Sequence, residues 1–86
     1  MIQKVRAVLV VADDWEGLYI NDGLIDEGHT VNEGESRLKY FADAAKQYNF
    51  SIDDLEEMDV SEDYYENYLS LYGNLHSSYS EMLQAQ

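Results

Sequence analysis

The sequence predicts an α+β fold, a small antiparallel sheet of three or four strands with two or three helices packed on one face. Three observations carry that prediction. A nearly unbroken β-branched run opens the chain, an Asn-Asp-Gly tripeptide separates two strand-like segments, and beyond residue 33 the apolar residues recur at steps of three and four.

The opening run, residues 5–12, reads Val-Arg-Ala-Val-Leu-Val-Val-Ala. Continuous hydrophobicity of this kind marks a strand covered on both faces or central in its sheet, and this one is placed centrally. It is too short for a membrane span and lacks a small-residue cleavage site, so it reads as a strand and not as a targeting signal. Residues 15–20 and 24–31 form the next two strands. Asn21-Asp22-Gly23 between them is a hairpin signal, because Asn and Gly tolerate the positive φ that tight hairpin turns require.

A first helix is predicted over residues 33–48, with Leu38, Phe41, Ala42, Ala45 and Tyr48 on one face. Asn32 is its expected N-cap, and Glu33 and Glu35 suit the positive end of the helix dipole. Residues 55–60 admit two readings, a short edge strand with Met58 and Val60 inward or an acidic helical turn capped by Ser51, and the strand is preferred. Ser61 then looks like the N-cap of a second helix carrying Tyr64, Tyr65, Tyr68, Leu69, Leu71 and Tyr72, which Gly73-Asn74 ends. A weaker third helix is expected over residues 75–83, followed by frayed terminal residues.

A chain of 86 residues has room for one domain, taken here as residues 1–86, and a domain this small buries only roughly 60% of the surface exposed by its unfolded chain. With 45% hydrophobic residues it has enough apolar material to fold unaided. The absence of cysteine excludes disulfides and thiolate metal sites and fits a cytoplasmic setting.

Charge is the outlier. Eighteen Asp and Glu against five Lys and Arg leave a formal charge of −13. All five basic residues (Lys4, Arg6, Arg37, Lys39 and Lys46) precede residue 47, so residues 1–46 carry nine acids and five bases, whereas residues 47–86 carry nine acids and no base. Such a field repels nucleic acid and attracts basic proteins, which argues against direct DNA or RNA binding.

The segment from residue 53 to residue 72 interleaves Asp53, Asp54, Glu56, Glu57, Asp59, Glu62, Asp63 and Glu66 with Tyr64, Tyr65, Tyr68 and Tyr72. Its plain reading is a solvated acidic helix with an aromatic face in the core. Against that reading stands the missing counter-charge. An ordinary exposed helix gains a few tenths of a kcal/mol from each Glu and Lys four residues apart, and like charges at that spacing cost about as much. Self-repulsion of this kind makes most sense if a basic partner later neutralises it. Proteins that read duplex DNA meet its phosphates with Lys and Arg, and a carboxylate accepts the same two-pronged hydrogen bond from Arg.

In this composition, and in the second half of the chain, the protein resembles the small acidic DNA-mimic proteins that phages direct against restriction enzymes, CRISPR nucleases or repair glycosylases. That resemblance implies a non-catalytic inhibitor, active in the host cytoplasm, that occupies the basic nucleic-acid groove of a bacterial defence or DNA-processing enzyme. The eight carboxylates would pair with Lys and Arg, and Tyr65 or Tyr68 would supply apolar contact within the ring of charge. The chain is expected to be a monomer or dimer, and the competing expectation is a non-catalytic structural accessory protein that forms oligomers through its tyrosine-rich face.

Other motifs carry less. Asp13-Asp14-Trp15-Glu16-Gly17 resembles the start of a calcium loop, but position 24, where the closing Glu would fall, is Leu. Trp15 reads as the edge of a core more readily than as a binding anchor. His29 and His76, the two histidines, have no triad partners at recognisable spacing, and zinc would need an uncommon set of two histidines with carboxylates. No cofactor is expected, and adjacent carboxylates such as Asp53 and Asp54 are unremarkable in so acidic a chain.

Overall fold

The computed structural model describes residues 5–12, 15–28 and 37–86. Three strands, β1 (Ala7–Val11), β2 (Glu16–Ile20) and β3 (Gly23–Gly28), precede helix α1 (Arg37–Tyr48). A 3₁₀ turn (Ile52–Asp54) leads into β4 (Glu56–Asp59). Next come α2, a continuous helix over residues 62–72, and α3 (Tyr79–Gln84). The fold is α+β, as expected. Asn32, Glu33, Glu35, His29, the Asp13-Asp14 pair and the predicted end of the third strand lie outside the described residues.

The strand order is β3-β2-β1-β4, so β1 is central. The β2–β3 turn is a two-residue one in which Asn21 and Asp22 both adopt positive φ, 47° and 79°. That geometry matches the twist of the flanking strands.

Two details of the predicted architecture need correction. The sheet is mixed, because β4 runs parallel to β1, with Val8 opposite Glu56 and Val11 opposite Asp59. A connection containing a helix brings the chain back to the end of the sheet from which it started, which makes the returning strand parallel. The helices also cover both faces. Val8, Val10 and Tyr19 pack with Tyr64, Leu69, Leu75, Tyr79 and Met82 on one side. Leu9 and Leu18 pack with Phe41 and Ala44 of α1 on the other. Alternation along β1 distributes its side chains between the two layers, which is why the strand is hydrophobic at nearly every position.

The inward face of α1 is rotated from the predicted one. Phe41 and Ala44 are buried, Tyr40 and Tyr48 pack beside them, and Leu38 is 75% exposed. Tyr40 is drawn toward the sheet by its hydroxyl, which donates to Asp26 Oδ2 at 2.7 Å.

Of the two readings of residues 55–60 the strand holds, and the helical turn lies earlier in the chain, at residues 52–54. Ser51 caps the 3₁₀ turn by accepting the Asp53 N–H, and the chain then extends as β4, with Met58 and Val60 packed against the larger core. Ser61 caps α2 by accepting the Tyr64 N–H at 3.1 Å, and Gly73 ends it at φ 76°. Over Tyr65–Leu69 the helix widens to a π turn, in which the Ser70 N–H donates to Tyr65 O. Along α2 the rings of Tyr64, Tyr68 and Tyr72 form a continuous row with centroid separations of 5.3 and 4.8 Å.

The third helix begins later than predicted, at Tyr79 with Ser78 as N-cap, because residues 75–78 instead run beside the β2–β3 hairpin. Leu75 is buried over Gly17, where an added Cβ would collide with Leu75 Cδ1. Gln86 Oε1 accepts the Ser61 N–H at 2.7 Å, which ties residue 86 to the start of α2.

Candidate functional site

The acidic segment follows one border of the molecule. Asp53 and Asp54 lie on the 3₁₀ turn, Glu56, Glu57 and Asp59 on edge strand β4, and Glu62, Asp63 and Glu66 on the first two turns of α2. All eight are exposed. A four-residue strand separates the two ends of this ridge by roughly 10 Å or a little more.

Glu56 differs from the rest. Arg6 grips it through both prongs, Nε to Oε2 at 2.8 Å and Nη2 to Oε1 at 3.3 Å, while the guanidinium lies 5.1 Å from the centre of the Tyr79 ring. This exposed carboxylate thus ties the edge strand to the residue that precedes β1, while half of its side-chain surface stays open to solvent. By contrast Asp53, Glu57, Asp59, Glu62, Asp63 and Glu66 make no side-chain ion pair with any described residue.

The two tyrosines predicted as apolar contacts separate. Tyr65 lines an open cleft of about 490 Å³ together with Val11, Ala12, Val60, Asp59, Glu62 and Glu66. Tyr68 belongs to the aromatic stack and lies 4.0 Å from the His76 ring, nearly parallel to it. Tyr65 thus joins the acids, and Tyr68 joins the core.

The cleft follows from the parallel pairing. The Val60 N–H donates to Val11 O at 3.0 Å as the last rung between β1 and β4. Beyond that rung one chain turns toward β2, closed by Ala12 N–H to Trp15 O at 2.7 Å, and the other enters α2 at Ser61. A crevice at the carboxyl ends of these two parallel strands results.

Behind the site, hydroxyl and imidazole groups are mutually satisfied. The Tyr64 hydroxyl accepts the His76 backbone N–H at 3.2 Å and shares a second hydrogen bond of 2.8 Å with His76 Nδ1, whose direction the imidazole tautomer sets. The Tyr19 hydroxyl donates to His76 O at 2.5 Å. Burial holds the Tyr19, Tyr40 and Tyr64 hydroxyls above the ordinary phenol range, and Asp26 beside Tyr40 acts in the same direction. His76 is thus held to two tyrosine hydroxyls through its backbone N–H, its carbonyl and Nδ1.

The remaining sequence features resolve similarly. Trp15 packs at the edge of the larger core and donates from Nε1 to Glu27 Oε1 at 3.0 Å. Among the described residues no group of three or more histidines and carboxylates is placed to hold a metal ion, and no helix is long and apolar enough to cross a membrane. Sequence reasoning missed the apolar side of the cleft, since Val11, Ala12 and Val60 read only as strand residues. Their position at two strand ends becomes visible only when β1 and β4 pair.

Comparison with protein-family models finds no match, and comparisons with curated proteins and with solved structures find none at a significant level.

Proposed function

We propose that this protein is a non-catalytic inhibitor that docks its acidic border on the basic nucleic-acid groove of a bacterial defence or DNA-processing enzyme, in the host cytoplasm. One observation carries this reading. Six carboxylates of a contiguous segment, Asp53, Glu57, Asp59, Glu62, Asp63 and Glu66, are exposed and without a counter-charge among the described residues. Their repulsion is a cost in the free protein that a cationic partner removes, and complementary charge of this extent accelerates encounter more than it sets final affinity.

Capture from a bacterial lysate at low salt tests the reading, with wild type compared against a variant carrying Glu62→Gln, Asp63→Asn and Glu66→Gln. The expected result is a nucleic-acid-binding protein retained by wild type, lost from the variant, displaced by duplex DNA and released toward about 1 M salt, where the screening length shrinks to roughly 3 Å. Equal retention by both proteins, or release that is indifferent to DNA, would overturn it.

A second reading, self-association, draws on Leu71 and Tyr72 at the end of α2, which are 71% and 66% exposed. It requires a dimer or larger species in light scattering that Leu71→Glu dissociates.

A further inference from the structure

We infer that the cleft between the ends of β1 and β4 and the start of α2 is a socket for one arginine side chain of the basic partner. The inference rests on the docking reading above and specifies its anchor. Its walls combine two kinds of surface that a simple acidic ridge does not bring together. Val11, Ala12, Val60 and Tyr65 supply an apolar lining, and Asp59, Glu62 and Glu66 supply carboxylates from a strand end and from two successive turns of a helix. Glu62 and Glu66, four residues apart, lie on the same side of α2.

An occupant of such a cleft needs a positive head to meet the carboxylates and an apolar stem to cover the lining. Small anions are excluded by charge: the positive end of the α2 dipole already has Glu62 and Asp63 in its first turn. Duplex DNA is excluded for the same reason. A bare metal ion would leave the apolar lining uncovered. Lysine meets both requirements as a point charge. Arginine meets them better, because its planar guanidinium can fork two carboxylate oxygens while lying against an aromatic face such as that of Tyr65.

Among the described residues this arrangement is already present at another place. Arg6 forks Glu56 and lies over Tyr79, so a carboxylate beside a tyrosine at the border of this sheet holds an arginine within the chain itself. At the opposite end of β4 the same residue types, Glu62 and Glu66 beside Tyr65, stand around an open cleft.

The full chain is titrated, by fluorescence anisotropy, into labelled oligo-arginine and oligo-lysine peptides of equal length. Two double variants remove the same charge from different places: Glu62→Gln with Glu66→Gln inside the cleft, and Asp53→Asn with Glu57→Gln outside it. Wild type should prefer oligo-arginine by about ten-fold, a difference of one decade in Kd. The cleft variant should lose that preference and the outer variant should keep it while weakening for both peptides. Tyr65→Leu should lose the preference and Tyr65→Phe retain it, with circular dichroism confirming that each is folded. If the two double variants behave alike, or wild type shows no preference, the socket is overturned and charge-led docking stands. If wild type binds neither peptide at low salt, both fall.

Discussion

Carboxylates in the hairpin and carboxylates on the acidic border share a chemistry and differ in what surrounds them. In the hairpin, Asp22 accepts the Ser78 and Ser80 hydroxyls and the Ser80 N–H, Asp26 accepts the Tyr40 hydroxyl, and Glu27 Oε1 accepts both Trp15 Nε1 and the Leu75 N–H. Each joins the β2–β3 hairpin to another element. Along the border, Asp53, Glu57, Asp59, Glu62, Asp63 and Glu66 accept nothing from the side chains or backbone of another described element. The difference teaches that charge count alone is a poor guide here: the hairpin acids are part of the fold, and the border acids are surplus to it.

Neutralising one set should therefore destabilise, and neutralising the other should not. The largest effect is expected at Glu27, half-buried and accepting two N–H donors. Glu27→Ala leaves both donors without that acceptor and should lower stability by about 1–3 kcal/mol in urea denaturation, with Glu27→Gln, which keeps an acceptor oxygen, losing less. A loss no greater than that of a border residue would erase the distinction.

Asp22 sharpens it through pH. The two serine hydroxyls and the Ser80 N–H hold its carboxyl below the ordinary carboxylate range, first through Ser80. A group whose folded pKa is lowered contributes stability that is present above its unfolded value, about 3.9, and is lost as pH falls through the folded value. Acid unfolding of Asp22→Asn should accordingly show a shallower loss over that interval than wild type. Superimposable acid limbs would mean that the turn-to-helix clamp contributes nothing in its charged form.

The smallest change belongs to the border. Glu62→Gln, Asp63→Asn and Glu66→Gln together relieve the like-charge pair at positions 62 and 66, and should leave the thermal midpoint unchanged or raise stability by a few tenths of a kcal/mol, roughly the size of one helical pair. Destabilisation by more than about 1 kcal/mol would show that these acids hold structure, and would remove the reason to assign them to a partner. Because the Glu62 and Asp63 charges also complement the helix dipole, part of the gain from relieved repulsion is offset.

Much of the fold was legible because it is encoded locally. The β-branched run at residues 5–12 announced a central strand, Asn21-Asp22-Gly23 a tight hairpin, Ser61 a helix start and Gly73 its end. Each signal depends on backbone preferences or capping hydrogen bonds spanning a few residues, and these survive without knowledge of the rest. The α1 face was misread because Leu38 and Tyr40 compete for the inward position, and only the hydroxyl of Asp26's neighbour across the layer decides between them. The π turn in α2 has no local signature in the sequence.

The candidate site divides along the same line. Composition by itself determined that residues 47–86 carry nine acids and no base, and hence the negative sign of the field around them. Tertiary structure alone decided that Glu56 pairs with Arg6, and which tyrosine stands among the acids, leaving Tyr65 at the cleft and Tyr68 against His76. The reason is physical: charge is a sum over residues and needs no coordinates, whereas a salt bridge 50 residues apart or a cleft at two strand ends exists only once β4 has paired parallel to β1.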